Sequence, residues 1–221
     1  MPVQGRRSKK NIFQRLSVFY QRYMKLLKII PESPNDNYIQ EAVDALERGE
    51  LIIIPTDTVY AVGCDVLSNK AVEKICDLKG IKSSKNTLSI LCKNISQCSE
   101  YARIDDLSHR LMHDYLPGPY TFILPALSKL PRAFKGRRTV GVRICDNNVV
   151  TALLERFGRP VMVSSVPIED EDDVEPEFMA RRYNGVVSLI LDAGRGDTEG
   201  STVVDSTNID TEIIRQGKGL L

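Results

Sequence analysis

The chain has 221 residues, and its 30 Lys and Arg side chains nearly balance 29 Asp and Glu, which leaves a formal net charge of +1. This balance excludes a strongly basic protein that binds nucleic acid over its whole surface. Aromatic residues make up 6% of the chain and Trp is absent, so a stacking platform for single-stranded nucleic acid is not expected. No apolar run approaches the ~20 residues that cross a bilayer, and we expect no membrane partner.

The charge is divided unevenly along the chain. Residues 1–23 contain six basic residues and no acid, so residues 24–221 hold 24 basic and 29 acidic residues, a net charge of −5. Seven of those acids lie between Glu169 and Glu177. We predict that residues 1–23 are a basic extension outside the folded domain and that residues 24–221 form one domain. An organellar presequence and a membrane-surface helix are open alternatives for the extension.

The cysteines and histidines argue against metal and disulfide sites. Five cysteines, an odd number without a C-x-x-C pair, favour a reducing compartment, and we expect a cytoplasmic protein. His109 and His113 have the spacing of one helical face, but no third ligand accompanies them, so we expect no metal site in the protein itself. Neither a G-x-x-x-x-G-K-[ST] loop nor a G-x-G-x-x-G string is present, so a P-loop or dinucleotide-binding fold has no support.

Helix and strand patterns alternate from Met24 onwards. In the first half, in chain order, we predict a strand over Lys25–Ile30, a helix from Asn35 or Asp36 through Arg48, a strand over Leu51–Ile54, a helix over Asn69–Leu78, a strand over Thr87–Cys92, and helices over Ser96–Ala102 and Leu107–Leu116. In the second half, we predict strands over Tyr120–Pro125 and Thr139–Ile144, a helix over Val149–Phe157, a strand over Val161–Ser165, a helix over Glu175–Tyr183, and strands over Val186–Leu191, Thr202–Asp205 and Glu212–Arg215. Strands interleaved with helices indicate an α/β layered fold rather than an all-β protein or a helical bundle.

Four segments place small hydroxyl residues, Gly or Pro and a basic side chain at the ends of predicted strands. They are Pro55–Tyr60, Leu116–Thr121, Val140–Arg143 and Ser201–Asp205, with Arg215-Gln216-Gly217 beyond the last. The ends of strands in an α/β sheet commonly carry ligand sites. Hydroxyl and guanidinium groups donate the hydrogen bonds that carboxylates and phosphates accept, so together the segments predict an anion-binding site. Each segment alone is also typical of an ordinary turn.

In combination and in this order, the strings PTDTVY, PGPYT, VGVR, STVVD and IIRQG resemble the YrdC-like family, which includes the threonylcarbamoyl-AMP synthases of tRNA modification. The resemblance covers about Lys25 to Leu221. It implies a single YrdC-like α/β domain with a twisted, largely mixed sheet, flanking helices and a large, positively charged ligand groove. It also implies ATP, threonine and bicarbonate as substrates, with Mg²⁺ accompanying the ATP.

The resemblance further implies roles for individual residues. Thr56, Thr58 and Tyr60 would orient the threonine, and Arg143 would bind its carboxylate. In the family's reaction the amine of threonine takes up CO₂ to form a carbamate, which attacks the α-phosphorus of ATP and expels pyrophosphate. No protein nucleophile is needed, and the sequence singles out no catalytic side chain. The nucleotide side would comprise Lys79, Thr121, Ser165, Ser201 and Arg215.

Several positions depart from the synthase pattern. Lys79-Gly80-Ile81 stands where the synthases have Lys-x-Arg, and the ammonium of nearby Lys82 cannot reproduce a guanidinium fork. Ser165-Val166-Pro167 stands where they have Ser-x-Asn, and Leu91 replaces a frequent histidine. The acidic segment Glu169–Glu177 replaces a loop of small residues, and its charge would repel ATP unless it folds away or binds a cation. These differences resemble the YciO branch of the family.

Three kinds of function stay open on the sequence. The first is a nucleotidyltransferase of the threonylcarbamoyl-AMP synthase type. The second is a paralogue that binds double-stranded RNA, tRNA or a nucleotide without this synthesis. Basic residues before the VGVR strand are candidates for contacts with RNA phosphates: Arg132, Lys135, Arg137 and Arg138. The third is an interaction protein that binds a partner through Glu169–Glu177.

Overall fold

The described residues alternate between strands and helices. The computed structural model describes residues 24–78, 89–130, 138–208 and 210–220. The strands are β1 (Lys25–Lys28), β2 (Ile52–Ile54), β3 (Ala61–Asp65), β4 (Ser89–Leu91), β5 (Tyr120–Pro125), β6 (Thr139–Arg143), β7 (Val161–Ser165), β8 (Leu189–Asp192), β9 (Thr202–Asp205) and β10 (Glu212–Arg215). The helices are α1 (Asp36–Glu47), α2 (Asn69–Leu78), α3 (Ile95–Ser99), α4 (Asp106–Tyr115), α5 (Asn148–Phe157) and α6 (Pro176–Arg182), and a short 3₁₀ helix covers Glu171–Val174.

The ten strands in the described ranges form one mixed sheet in the order β1-β8-β2-β3-β7-β4-β6-β5-β9-β10. Parallel pairing joins β1 and β2 to β8, β4 to β6, and β5 to β9. The other neighbouring strands are antiparallel. Strands that are far apart along the chain are thus neighbours in the sheet, and for the parallel pairs the loops that follow them lie at the same edge.

Two apolar cores lie on opposite faces of the sheet. Along β7, Val161 and Val163 belong to one core and Met162 to the other, as the alternation of side chains in a strand requires. The first core contains buried residues of α1 and α5, and the second contains buried residues of α2, α3, α4 and α6. The sheet is therefore a middle layer between two layers of helices.

The helices α1 and α5 leave part of their face of the sheet uncovered. Their core takes in Leu91 of β4 and Val163 of β7 but, among the described residues, none from β5, β6 or β9. On this uncovered part the strands carry small or hydroxyl residues, such as Ser89 of β4 and Gly141 of β6. The result is a concave surface whose floor is the sheet itself.

Helix α5, which follows β6 after a short turn, is capped at both ends. The Asn147 side chain accepts hydrogen bonds from the backbone N–H groups of Val149 and Val150, at 3.0 and 3.2 Å. Such an N-cap contributes about 1 kcal/mol to helix stability. Gly158 ends the helix with φ 72°, a backbone conformation that glycine adopts without strain.

The α/β fold class predicted from the sequence is confirmed, and five predicted elements agree with the structure at both ends: Asn69–Leu78, Tyr120–Pro125, Val161–Ser165, Thr202–Asp205 and Glu212–Arg215. No prediction covers β3. All five residues of β3 are buried, so they show no alternation of polar and apolar side chains, and Gly63 in their middle is unfavourable in a strand.

Two further predictions concern the membrane and the N-terminus. Within the described ranges, no helix combines the length and apolar character needed to span a membrane. Residues 1–23 lie outside the described residues, and the division of the chain at residue 24 stays a prediction.

Candidate ligand-binding groove

A groove of about 420 Å³ lies over the uncovered part of the sheet. Such a volume is typical of sites for small ligands. Five of the lining residues carry a hydroxyl group, two are arginines, and none of the described ones is acidic. The groove therefore favours an anionic ligand. The lining residues are Ala61, Ser89, Thr121, Ile123, Arg143, Val163, Ser164, Ser165, Ser201, Val203, Ile214 and Arg215.

A glycine keeps the floor of the groove open. Gly141 in β6 lies beside Ser89 of β4 and Thr121 of β5. A Cβ atom at position 141 would lie 2.5 Å from the Ser89 Oγ and 3.1 Å from the Thr121 Cγ2. Any side chain at this position would therefore displace the two hydroxyl residues that form the floor.

Arg143, the last residue of β6, forms a buried ion pair with Asp57 in the loop after β2. Its Nη2 donates to the Asp57 Oδ1 at 2.6 Å and to the Thr58 Oγ1 at 3.2 Å. The side chains of Arg143 and Asp57 are only 7% and 8% exposed. The Asp57 Oδ2 accepts the backbone N–H of Asp146 at 3.1 Å. Asp57 thus holds Arg143 in place, while the Arg143 Nε is buried without an acceptor among the described residues.

Cys145 is a second donor to the same carboxylate. Its Sγ donates to the Asp57 Oδ1 at 3.1 Å, and the Asp57 backbone N–H donates to the Sγ at 3.3 Å. Burial, and then the negative charge of Asp57, raise the pKa of the Cys145 thiol far above its ordinary value. The thiol is therefore protonated at neutral pH and supports Asp57 as a hydrogen-bond donor rather than acting as a nucleophile.

The hydroxyl groups of Thr56 and Thr58 are engaged within the loop after β2. Thr56 donates from Oγ1 to the Val59 carbonyl at 2.6 Å and accepts the Thr58 backbone N–H at 3.1 Å. The two threonine hydroxyls are 3.1 Å apart. Because Thr56 donates its proton to Val59, Thr58 must donate to Thr56 while it accepts from Arg143. These bonds shape the loop around Arg143 and use both hydroxyl protons.

The opposite side of the groove is formed by Thr121, Ser201 and Arg215. The hydroxyl oxygens of Thr121 and Ser201 are 2.8 Å apart and buried. Arg215 donates from Nε and Nη2 to the Ser201 carbonyl at 3.1 and 2.7 Å, and from Nη2 to the Ser201 Oγ at 3.2 Å. One of the two hydroxyls donates its proton to the other. The proton of the accepting hydroxyl therefore remains for another acceptor, whichever residue donates.

The two arginines make the groove electropositive. Partial burial, and then the positive charge of Arg143, lower the pKa of Arg215 from its ordinary value. The Arg215 guanidinium still remains charged near neutral pH, since guanidinium groups are not deprotonated in proteins. A negatively charged ligand between them would reduce this repulsion.

The structure brings most of the predicted site residues together. Five of them line the groove: Arg143, Thr121, Ser165, Ser201 and Arg215. Thr56 and Thr58 lie beside it, in the loop that holds Arg143. Four predicted basic residues lie outside the described residues, so their roles stay predictions: Lys79, Arg132, Lys135 and Arg137. Arg138, the described member of the RNA-contact candidates, is exposed before β6.

Tyr60 contacts the connection between β8 and β9. Its hydroxyl donates to the Gly194 carbonyl at 2.8 Å and accepts the Ala193 backbone N–H at 3.0 Å. Burial raises the pKa of Tyr60 far above its ordinary value, so the hydroxyl stays protonated. A Cβ atom at Gly196 would lie 2.6 Å from the Tyr60 ring, which shows how closely the two loops pack. In this structure Tyr60 joins two loops and is not part of the groove lining.

The acidic segment Glu169–Glu177 folds against α6. Its Asp173 carboxylate is buried and accepts two backbone N–H groups of the same segment, at 2.7 and 3.1 Å, and a 2.7 Å bond from Arg182. Arg195 pairs with Glu175 at 2.5 Å. None of the described lining residues of the groove belongs to this segment. The structure thus favours the alternative in which the segment folds away.

Two residues that organise the groove are absent from the sequence predictions. Asp57 lies inside the PTDTVY string, which directly follows the apolar run Leu51–Ile54, and a carboxylate buried there needs a cationic partner, which is the signal that could have identified it. Lys218 donates from Nζ to the Asp57 carbonyl at 3.0 Å and to the Asp197 Oδ2 at 2.6 Å. Lys218 and Asp57 are 161 residues apart, so no local pattern identifies their contact.

Fold and groove together define an α/β protein with a groove suited to an anionic small molecule, and comparisons with known proteins place it in a family. A model of the Sua5/YciO/YrdC domain, described as "Telomere recombination", matches residues 44–217. Escherichia coli YciO is 33% identical over 195 residues, which cover 86% of this chain and 94% of YciO. The threonylcarbamoyl-AMP synthase of Photobacterium profundum is 30% identical over 184 residues, 81% of this chain and 98% of the synthase. The chain belongs to the Sua5/YciO/YrdC family, and the predicted resemblance to this family and its YciO branch is confirmed.

Solved structures agree with this placement. The crystal structure of E. coli YciO matches with a TM-score of 0.83 at 31% identity, covering 89% of this chain and 97% of that one. The crystal structure of P. abyssi Sua5 complexed with L-threonine matches with a TM-score of 0.79 at 28% identity, covering 87% of this chain and 57% of that one. The implied single α/β architecture with a mixed sheet is therefore confirmed.

Proposed function

We propose that this protein is an enzyme of the threonylcarbamoyl-AMP synthase type, which converts L-threonine, bicarbonate and ATP to threonylcarbamoyl-AMP, pyrophosphate and water. The observation that carries the proposal is the pair of arginines, Arg143 and Arg215, that face one groove whose described lining contains no carboxylate. The identity to a threonylcarbamoyl-AMP synthase and the structure of a Sua5 protein with L-threonine support the choice of substrates.

On the proposed amino-acid side, Arg143 binds the carboxylate of threonine. Its Nη2 is held by Asp57 and Thr58, which leaves the rest of the guanidinium for a ligand. The pair with Asp57 fixes the Arg143 guanidinium in the wall of the groove, which supports this role. Thr56 and Thr58 would act through the loop, by positioning Arg143.

On the proposed nucleotide side, Thr121, Ser201 and Arg215 bind phosphate oxygens. The remaining hydroxyl proton of the Thr121–Ser201 pair and the Arg215 charge are suited to this task. Among the described residues, no group of three or more Asp, Glu, His or Cys could hold a metal ion. Mg²⁺ would therefore be bound by the phosphates of ATP as part of the substrate, and water would complete its coordination shell.

The proposed chemistry needs positioning and charge compensation. The neutral amine of threonine and bicarbonate form a carbamate and release water, and a carbamate oxygen then attacks the α-phosphorus while the bond to pyrophosphate breaks. The two arginines would hold the anionic reactants within reach of each other, which is the main task in such a transfer. Because the Lys-x-Arg and Ser-x-Asn strings are altered, we expect slower turnover than in the synthases.

The full-length protein with ATP and bicarbonate is expected to release pyrophosphate faster when L-threonine is added. The Arg215→Gln substitution removes the charged donor on the phosphate side. We expect it to lower the L-threonine-dependent kcat/KM for ATP by about 10- to 100-fold, the effect of losing one charged hydrogen bond to the ligand. A coupled assay of pyrophosphate measures both effects.

The Arg110→Gln substitution is the matched control, since Arg110 is an exposed arginine of α4 outside the groove. It should leave the rate unchanged. Equal pyrophosphate release with and without L-threonine contradicts the proposed synthesis. In that case, binding of ATP in isothermal titration would favour the alternative, a paralogue that binds nucleotide without synthesis.

We also propose a cytoplasmic setting. All five cysteines are buried as free thiols, which supports a reducing compartment. They are Cys64, Cys76, Cys92, Cys98 and Cys145.

A further inference from the structure

The C-terminal segment is fastened to the nucleotide side of the groove. We call residues Gln216–Leu220 the clasp. The backbone N–H of Gly217 donates to the Thr202 Oγ1 at 2.9 Å, and this hydroxyl donates to the Gly219 carbonyl at 2.6 Å. These bonds hold the clasp at the start of β9, directly beside Ser201.

Two glycines allow the clasp to pack this closely. A Cβ atom at Gly217 would come closer than 3.0 Å to the Gly200 carbonyl, and one at Gly219 closer than 3.0 Å to the Tyr120 ring. The Tyr120 hydroxyl also donates to the Leu220 carbonyl at 2.6 Å. The clasp is therefore held in one defined position on β5 and β9.

Lys218 extends from the clasp to the other side of the groove. Its Nζ donates to the Asp57 carbonyl at 3.0 Å, and the Asp57 carboxylate holds Arg143 at 2.6 Å. The Asp197 Oδ2 accepts from the same ammonium at 2.6 Å. A continuous series of polar contacts thus runs from Thr202 through the clasp and Lys218 to Asp57 and Arg143.

Asp197 fixes the end of Lys218. Its Oδ1 accepts the backbone N–H groups of Thr198 and Glu199, at 2.7 and 3.1 Å. The bond from Lys218, and then that from Glu199, lower the pKa of Asp197. The carboxylate therefore remains charged at neutral pH and restricts the ammonium to the position beside Asp57.

We propose that Lys218 is a positioning residue that couples the two sides of the groove. A nucleotide phosphate bound at Ser201 and Arg215 stabilises the clasp in this position against local opening, and Lys218 thereby keeps Asp57 and Arg143 in the orientation that receives an amino-acid carboxylate. Binding of the first ligand thereby reduces the conformational entropy that is lost when the second ligand binds, which is positive coupling between two sites. The identity of the two ligands rests on the proposed function.

Isothermal titration of the full-length protein with ATP, with and without saturating L-threonine, tests this coupling. In the wild-type protein we expect L-threonine to tighten ATP binding by about 5- to 150-fold. Lys218→Met keeps the length of the side chain but loses both polar contacts, and we expect the coupling factor to fall to about one, while ATP affinity without L-threonine changes much less. Lys218→Arg should restore part of the coupling. Lys70→Met, at an exposed lysine of α2, is the matched control and should retain all of it.

Hydrogen exchange of the protein without ligand gives a second readout. Lys218→Met should speed the exchange of the backbone amides in residues 56–59 by about tenfold, the effect of losing one charged hydrogen bond. Full coupling in Lys218→Met overturns the proposal. If L-threonine does not affect ATP binding in the wild-type protein, the proposed coupling is overturned, and unchanged exchange in Lys218→Met overturns the positioning role of Lys218. The proposed function fails separately, when pyrophosphate release does not depend on L-threonine.

Discussion

At the scale of single residues, Arg143 depends on one carboxylate. Arg143 and Asp57 are both almost completely buried, and Asp57 accepts further bonds from Cys145 and Asp146. A buried ion pair adds little net stability, but removal of one partner is costly because the other charge stays buried and uncompensated. Asp57 is therefore the residue that allows a guanidinium group to lie at this end of the groove.

The Asp57→Asn substitution should lower the free energy of unfolding by about 3–5 kcal/mol, because it leaves the buried charge of Arg143 without its partner. Urea denaturation measures this change. The Asp36→Asn substitution is the matched control: Asp36 pairs with Arg156 at 2.8 Å, but its carboxylate is 84% exposed. We expect about 0–1 kcal/mol there. Equal, small effects of the two substitutions would mean that solvent reaches Arg143 and compensates its charge.

At the scale of elements, the spacing of apolar residues predicts the helices and strands whose formation depends on nearby residues. Helix α2 (Asn69–Leu78) is predicted to the residue, because its buried positions recur at helical spacing. Strand β3 is missed because all of its residues are buried. The order of strands in the sheet was not predictable by the same means, since β1 pairs with β8 and β5 with β9 across long stretches of chain.

Because sequence patterns involve only nearby residues, they predict some site residues and not others. Arg143, Thr121, Ser201 and Arg215 lie in strings that carry the family resemblance, and the structure places all four in the groove. Lys218 contacts Asp57, which lies 161 residues away in the sequence. The residues next to Lys218 in the sequence form no pattern that identifies this partner.

The short 3₁₀ helix Glu171–Val174 is stabilised through Asp173, and this predicts a pH dependence. The two backbone N–H groups, and then Arg182, lower the pKa of Asp173 in the folded protein. A lowered pKa stabilises the fold above the unfolded value of about 3.9, and this contribution is lost as the pH falls through the folded value. Between about pH 5 and pH 2, the stability of the wild-type protein should therefore fall more steeply than that of Asp173→Asn.

Urea denaturation at a series of pH values measures the two slopes. Asp172→Asn is the control, since Asp172 is an exposed acid of the same helix and should leave the slope of the wild-type protein unchanged. Parallel curves for the wild-type protein and Asp173→Asn would show that Asp173 is not the group that titrates with unfolding.

At the scale of the whole molecule, the acidic segment Glu169–Glu177 and the two arginines of the groove lie on different parts of the surface. Residues 24–221 carry a net charge of −5, yet the described lining of the groove has two arginines and no acid. The acidic segment Glu169–Glu177 is partly neutralised by Arg182 and Arg195 and supplies none of that lining. A net negative charge is thus compatible with a site for anions.

Neutralising the exposed acids of the segment tests this separation of charge. The triple substitution Asp170→Asn, Glu171→Gln and Asp172→Asn should change ATP affinity by about twofold or less at physiological salt, because these acids are exposed, do not line the groove and are screened by salt. Isothermal titration at low, physiological and high salt measures the effect. A much larger gain in affinity that persists at high salt would show that the segment reaches the groove.

The groove is also built from parts of the chain that are far apart. Thr121 and Ser201 are 80 residues apart, Arg143 and Asp57 are 86 apart, and Lys218 and Asp57 are 161 apart. Contacts at such separations carry a high cost of loop closure and slow the folding of the chain. A partly folded chain therefore lacks the groove, and a small molecule that binds it stabilises only the native state, by a free energy that rises with the logarithm of its concentration above Kd. The rate at which proteases degrade this protein should thus fall as its ligand accumulates.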